Sequence, residues 1–436
     1  MDRSIRPLAE GDNAAWRALL QASYGPLDPT PDWREQEWLE AMRNGLGVFV
    51  GGRMVAGLHL HPYRIYLGPK AVPCGGIGAV ASHPDTRRQG HAFALLKDTL
   101  KRMKDSGRVI SNLFPFSYAF YRRLGWEHVG DQVHYELKFG DLPLWRTSGI
   151  AAAGRTKTVS VCEYGQKEQV DDGAIAALDA VYRKWASHYN GMLERTESQW
   201  RRNVLRPYRK GYSKYATVWE DPSGLPAGYV VYNVPAFTEP DHDIIVRELA
   251  ATSGAAYRAI LGFLKNQEAQ FPGIKVDLPP PDPLLVYLAN PQVKRELKAT
   301  FMARLVDVPR ALEATACPPP GLNGTVILSV DDPVCDWNKG DWLLAANDGR
   351  LTVSRVADAN SEKGNGAEQG GRQGGPRGGP IGRVKAAVTH LAQIAFGSRK
   401  ASALWQTDHI EAIRPGAVEF LDAAFGTRSP YISDYF

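Results

Sequence analysis

Residues 81–105 read ASHPDTRRQGHAFALLKDTLKRMKD, and the fold turns on them. Ala92, Leu95, Leu96, Thr99, Leu100 and Met103 recur at spacings of three and four, while Lys97, Asp98, Lys101, Arg102 and Lys104 fill the opposite face. That is the pattern of an amphipathic helix. Before it runs Ile77–Ala81, IGAVA, an apolar strand, and between the two lies RRQG. Cations at a helix N-terminus oppose its dipole by about 0.3–1 kcal/mol each. Arg87 and Arg88 at this position therefore suit a bound anion, with Gly90 letting backbone N–H groups come close to it. The alternative is a solvated helix start with incidental arginines.

Working outward, residues 1–148 give a strand (SIRPL), two helical stretches (DNAAWRALLQASYG and PDWREQEWLEAM) and two strands joined at Gly51-Gly52. Beyond the quoted helix come the strand VISNLFPF and a short helix, SYAFYRRLGWEHV. Strands alternating with helices predict a mixed α/β layer fold. Residues 149–300 repeat the outline: PAGYVVYNV echoes VAGLHLHPY, DIIVRELAAT is a strand, and SGAAYRAILGFLKNQ is an amphipathic helix. The basic turn is missing there; TSG stands in its place. A degenerate duplicate is expected. Residues 301–436 read as hairpins around GTVILSV and GDWLLAANDGRLTVSRV, a closing helix GAVEFLDAAFG and an aromatic tail, RSPYISDYF. Nine of the nineteen residues from Gly364 to Gly382 are glycine, too many for a core, so a loop is expected there.

A net charge of +5, from 52 basic and 47 acidic residues in 436, implies neither nucleic acid nor a membrane surface as partner. The four cysteines are scattered, without metal-ligand spacing. With no apolar signal core or spanning run, a cytoplasmic protein without metal is expected.

R-x-x-G-x-A (Arg87, Gly90, Ala92), followed about thirty residues on by FYRRLGW, resembles the acetyl-CoA motif and late tyrosine helix of GNAT acyltransferases. The whole chain resembles the enhanced intracellular survival (Eis) acetyltransferases, through VASHPDTRRQGHAFALLKDTLKRMKDSG, LFPFSYAFYRRLGWEHVG, MARLVDVPRALEA, DPVCDWNKGDWLL and the ending DYF. The resemblance implies tandem GNAT folds of mixed α/β sheets, catalytic at 1–148 and degenerate at 149–300. A sterol-carrier-protein-like α+β domain follows at 301–436, with the Gly-rich loop 364–382 and a tail that enters the active site. It also implies acetyl-CoA as cosubstrate, an amine as small-molecule partner and a homo-oligomer, a hexamer. The strand before the turn would be splayed by a bulge. Val80, Ala81 and Ser82 would hold the pantetheine arm, and Arg87, Arg88, Gln89, Gly90 and Ala92 the diphosphate.

Acyl transfer to an amine needs a neutral amine, a stabilised oxyanion and a proton for the departing thiolate. Tyr121 in FYRRLGW occupies the position of the family's acid; its surroundings alone leave it equally readable as a core aromatic. Glu127 and His128 read as surface or strand-edge residues. The family draws its base from the chain's own α-carboxylate, here that of Phe436; a tail merely anchored in a groove is the other reading. A cationic amine wants carboxylates and aromatics around it, and Asp28, Trp33 and Trp38 are the candidates, since the family forms its acceptor cleft from the corresponding early helices. Phe116 departs from the family, which often has a small hydroxyl residue there, with Ser117 next along; this changes the acyl channel. The acceptors expected are cationic multi-amine molecules of aminoglycoside type, or lysine side chains. A non-catalytic lipid or CoA carrier, or an acyltransferase for another acyl-CoA, are the competing readings.

Overall fold

The computed structural model describes residues 3–26, 32–142, 154–167, 169–207, 210–236, 239, 242–356, 379–426 and 428–436. Most of the Gly-rich stretch, 364–378, lies outside them, as does Asp28. The chain forms two compact units. One holds 1–129, 301–430 and Phe436, the other 130–300 and 431–435.

In the first unit β1 (Arg3–Pro7) pairs antiparallel with β2 (Gly45–Val50), which turns through Gly51-Gly52 into β3 (Arg53–Leu67). β3 pairs antiparallel with β4 (Lys70–Ser82), and β4 pairs parallel with β5 (Ile110–Leu113) after crossing through α3 (His91–Asp105). α3 buries Leu95, Leu96, Thr99, Leu100 and Met103 as its periodicity predicts; Ala92 stays half-buried. Its apolar stripe meets Val48, Leu58, Ile77 and Leu113, together with Tyr121 and Trp126. The other sheet face is covered by α1 (Asn13–Tyr24), whose Trp16, Leu19 and Leu20 pack with Met42, Phe49 and Met54. α2 (Asp32–Met42) follows α1. β5 takes its second neighbour from far along the chain, Met302–Leu305, antiparallel.

The remainder of this unit is a five-stranded sheet in the order Arg350–Arg355, Gly340–Asn347, Gly324–Asp331, Gly382–Ala387, Ile410–Ala412. It carries the helices Val308–Thr315, Val388–Phe396, Ala401–Gln406 and Pro415–Phe425. Arg304 joins it to the first sheet: its guanidinium donates to both oxygens of Asp332 (2.9 and 2.7 Å), and both side chains are 0% exposed. The same carboxylate accepts from the Val334 and Cys335 N–H groups and from Asn338. A buried pair with its lone pairs filled does more to fix register than to add stability.

The second unit repeats the plan. Tyr212–Glu220, Pro226–Pro235 and Ile244–Ala251 run antiparallel, the helix Gly254–Lys265 follows, and Gly273–Leu278 returns parallel to Ile244–Ala251. A register shift between Val246 and Glu248 sits just before the helix, as one does in β4. The strand after the first copy's late helix, through Val133–Lys138, pairs with Gly273–Leu278. The degenerate duplicate expected from the sequence is therefore present.

At its heart Arg195 donates to both oxygens of Glu248 (2.8 and 2.6 Å) and to both of Asp434 (3.0 and 3.1 Å). The rings of Tyr182 and Trp200 lie against the guanidinium. Ser433 donates to Glu248, and Arg247 donates to the Ser433 carbonyl. Tyr431 packs beside Trp185 and Tyr189. Lys214 is buried nearby; burial, then the Arg247 charge, hold its pKa down to about 7 from an ordinary 10.5. Between those values the unfolded chain binds the extra proton, so this group makes stability rise with pH from about 7 to 10.5. Lys214→Met is expected to stabilise the protein by about 1–3 kcal/mol at pH 7 and to flatten that rise. Urea unfolding at pH 7 and 9.5 reads both; equal stability of the two proteins at pH 7 contradicts the expectation.

Candidate active site

β4 changes course halfway. Ala79 and Val80 together oppose the single residue Leu58 of β3, and Ala79 takes φ +52°. A left-handed alanine costs about 1–2 kcal/mol, which the surrounding sheet sustains. The bulge bends the strand away from its neighbour. β5 accompanies β4 only to the pair Ile77–Leu113, so from Gly78 to Ser82 β4 runs on without it. An uncovered strand edge offers N–H and C=O groups to any extended chain. Val80, Ala81 and Ser82 all lie on this stretch. Val80's carbonyl accepts from the Tyr24 hydroxyl (2.8 Å) and Ser82's from Arg87 Nε (3.4 Å).

The turn after it leaves backbone donors and two arginines without acidic partners among the described residues. Arg88 (φ +63°) and Gly90 (φ +80°) are left-handed, and the space beside Gly90 is open. α3 starts at His91 with no side chain capping it, and its first backbone bond runs from Ala94 N–H to the Gly90 carbonyl. The N–H groups of His91, Ala92 and Phe93 therefore have no acceptor within the helix. Arg87 and Arg88 are exposed, and among the described residues neither has a carboxylate partner; Asp85 is held by Arg53 and His83. Gln89 donates to the Asp85 carbonyl. The second unit handles the same position differently. Ser253 caps its helix by accepting from Ala256 N–H.

Tyr121 sits on α4 (Tyr118–Arg122), which Ser117 starts by accepting from the Phe120 N–H. That bond engages the hydroxyl expected near the thioester. Phe116, 69% exposed, stacks on Phe120 and meets Tyr121 edge-on. The Tyr121 side chain is 2% exposed, and burial, helped by nearby Tyr24, pushes its phenol well above the ordinary 10. It carries its proton throughout the neutral range.

The chain's last residue lies on the face of β4 opposite α3. The carboxyl carbon of Phe436 stands 3.1 Å from where a Cβ on Gly78 would be, and its ring lies 2.9 Å from that of Gly76. Side chains at these two positions would expel it. The ring is gripped edge-on by Tyr63 (4.9 Å) and Phe114 (5.3 Å), with His61 at 6.0 Å. His59, His61 and Tyr63 alternate along β3 and so share one face, a signal the sequence held in HLHPY. Burial lowers His61 to about 4 and His59, with His61 beside it, to about 3. Both are neutral at pH 7, so neither adds positive charge beside the terminal carboxylate.

Trp38, on α2, packs against the cluster that includes Ala81 and donates to Asn13 (2.8 Å) under the Arg17 guanidinium. Trp33 belongs to α2 too, but its side chain is outside the description, as is all of Asp28. Glu127 corrects the sequence reading: it is buried, 5% exposed, because Arg122 and the His128 N–H occupy its carboxylate.

Known proteins match in the same pattern. The family description "Acetyltransferase (GNAT) domain" matches residues 4–129 and, in a second form, 191–305; "Sterol carrier protein domain" matches 308–433. A Streptomyces avermitilis protein described as an uncharacterized N-acetyltransferase is 25% identical over 368 residues, 82% of this chain and 86% of its own. Among solved structures, a GCN5-related N-acetyltransferase from Anabaena variabilis superposes with TM-score 0.81 at 20% identity, covering all of both chains. Eis1 from Mycobacterium abscessus does so with TM-score 0.73 at 21% identity, again over all of both. No helix among the described residues is long and apolar enough to cross a membrane.

Proposed function

From its standing as a GNAT acetyltransferase with two such domains and a sterol carrier protein domain, we propose that this chain acetylates amines of cationic multi-amine small molecules of aminoglycoside type, or lysine side chains. The first unit holds the working site. The observation that carries the reading is the Phe436 carboxyl carbon against Gly78, at the point where β5 leaves β4 and the strand runs on to the basic turn.

Acetyl-CoA supplies the activated acetyl group. The donor set fits it: an uncovered strand edge at Val80–Ser82 for an amide-bearing arm, and Arg87, Arg88, Gln89, the open turn at Gly90 and the N–H groups of His91, Ala92 and Phe93 for two phosphates. Phe436 takes the amine's proton through its carboxylate, directly or across a water, and holds the amine by charge. The rings of Tyr63, Phe114 and Phe436 give that cation an aromatic surround. Tyr121 acts as the acid at the sulfur. A thiolate, near pKa 8.5, is less basic than this buried phenolate, so the hydroxyl works by lending its proton in a hydrogen bond as charge appears. Asp28, Trp33 and Trp38 are proposed on the acceptor side. Trp38 would serve there by bracing α2 against α1. A homo-hexamer and a cytoplasmic location complete the proposal; light scattering tests the first and fractionation the second.

Thiol release from acetyl-CoA with aminoglycosides, linear polyamines and a lysine peptide tests the reading. Turnover with a multi-amine acceptor supports it. Release with none, or lipid co-purifying with a protein that gives no heat with CoA, favours the carrier. Arg87→Glu with Arg88→Glu is expected to weaken acetyl-CoA binding at least tenfold by calorimetry, and to flatten its salt dependence. An unchanged Kd removes the turn from the site.

A further inference from the structure

Away from β4 and the terminal carboxylate, the first unit has a groove of about 630 Å³ between Glu127, the helix Val388–Phe396 and the segment from Arg399 to His409. That is an ordinary volume for a small-molecule site. Its charges are lopsided. Glu127 is the one acid in the lining, and it is spent: Arg122 donates to both its oxygens at 2.8–3.0 Å, and the His128 N–H adds a fourth bond at 2.9 Å. The Arg399 guanidinium donates to the neighbouring Ser398 carbonyl (3.1 Å), and no carboxylate among the described residues pairs with it. The His390 and His409 rings meet edge to face, 5.0 Å apart.

The two imidazoles are oriented from behind. His409 Nδ1 faces the Thr407 carbonyl at 2.8 Å, and a carbonyl only accepts, so Nδ1 holds the proton and Nε2 is the ring's variable position. His390 Nδ1 faces Gln393 Oε1 at 3.2 Å, and Gln393 Nε2 is itself anchored to the His128 carbonyl. Two such rings side by side repel once both are charged, unless an anion lies against them. An unpaired guanidinium beside them adds a planar, multiple donor.

We propose that this groove binds a small polyanion, a metabolite bearing phosphate or several carboxylates, through Arg399 and the His390–His409 pair, with the Arg122–Glu127 pair as its neutral wall. A polyanion against the two imidazoles favours their protonated form, so its binding takes up protons and affinity rises as pH falls. Arg122, Glu127 and Arg399 are the other charged groups in the lining.

The test titrates pyrophosphate and citrate calorimetrically into the full chain carrying Arg87→Glu and Arg88→Glu, which silences the basic turn. One site per chain is expected, binding at least fivefold tighter at pH 6 than at pH 8. Arg399→Glu, at an exposed position, is expected to weaken it at least tenfold, and His390→Gln with His409→Gln to abolish the pH dependence. Preference for one probe assigns the phosphate or carboxylate form. No heat with either probe at pH 6, equal affinity in the Arg399 variant, or a groove closed by a second copy of the chain in light scattering with no effect of either anion, overturns the site.

Discussion

One residue added after Phe436 is expected to lower kcat by 10²-fold or more while acetyl-CoA still binds. The addition turns the terminal carboxylate into an amide and carries the charge several ångströms onward, on a face where only Gly76 and Gly78 make room. Positioned bases contribute 10²–10⁴-fold, and an amide accepts no proton from an amine at neutral pH. Phe436→Ala separates the parts of the argument. It keeps the carboxylate and loses the grip of Tyr63 and Phe114, so a smaller drop in kcat with a raised KM for the amine is expected. Tyr121→Phe removes one oxygen from a side chain that is already buried and whose hydroxyl has no hydrogen-bond partner among the described residues. Folding should hardly notice; turnover should fall at least tenfold. Steady-state kinetics with calorimetry of acetyl-CoA decides. An extended chain that turns over like the original removes the carboxylate from the mechanism and leaves the tail as an anchor.

Arg195→Met is expected to cost about 3–5 kcal/mol at pH 7.5, because it leaves Glu248 and Asp434 buried together with no cation between them. Burial already raises Asp434, against the pull of Arg195, while Glu248 is held low by Arg195 despite its burial. A carboxyl raised in the fold stabilises below its unfolded pKa and loses that contribution as pH rises. Without the arginine the first proton goes to this pair well above pH 4, so the deficit should shrink from pH 7.5 to pH 5. Urea unfolding at both pH values measures it, with Arg195→Lys expected to recover part of the loss. A deficit independent of pH would mean that packing against Tyr182 and Trp200, and not charge, is what Arg195 supplies. Phe436 follows Asp434 by two residues, so the variant is also expected to lose turnover.

Much of the first unit was legible because its signals are local. The spacing of Leu95 to Met103, the Gly51-Gly52 turn and the RRQG break each depend on neighbours within a few residues. The duplication was legible for the same reason, since strand, turn and helix recur in order. Pairing partners were not. Nothing near Gly273 announces that Val133–Lys138 will lie beside it, nor that Met302–Leu305 will flank β5, because strand pairing at such separations is chosen by burial over the whole chain. Glu127 was misread for a related reason: a carboxylate looks exposed until the arginine that buries it, Arg122, is seen to reach it. The sequence also does not show that Asn13 takes the Trp38 N–H.

The two helix starts, Gly90 and Ser253, imply a direction of drift. Over glycine a serine cap is worth only a few tenths of a kcal/mol, about 0.3, and the copy that has one satisfies a donor that the other leaves unpaired. Once a duplicated site is released from duty, a single serine makes the idle copy sturdier than its parent. Returning it to service then demands giving up only that small gain before any guest arrives, so stability sets a slight bias and no barrier.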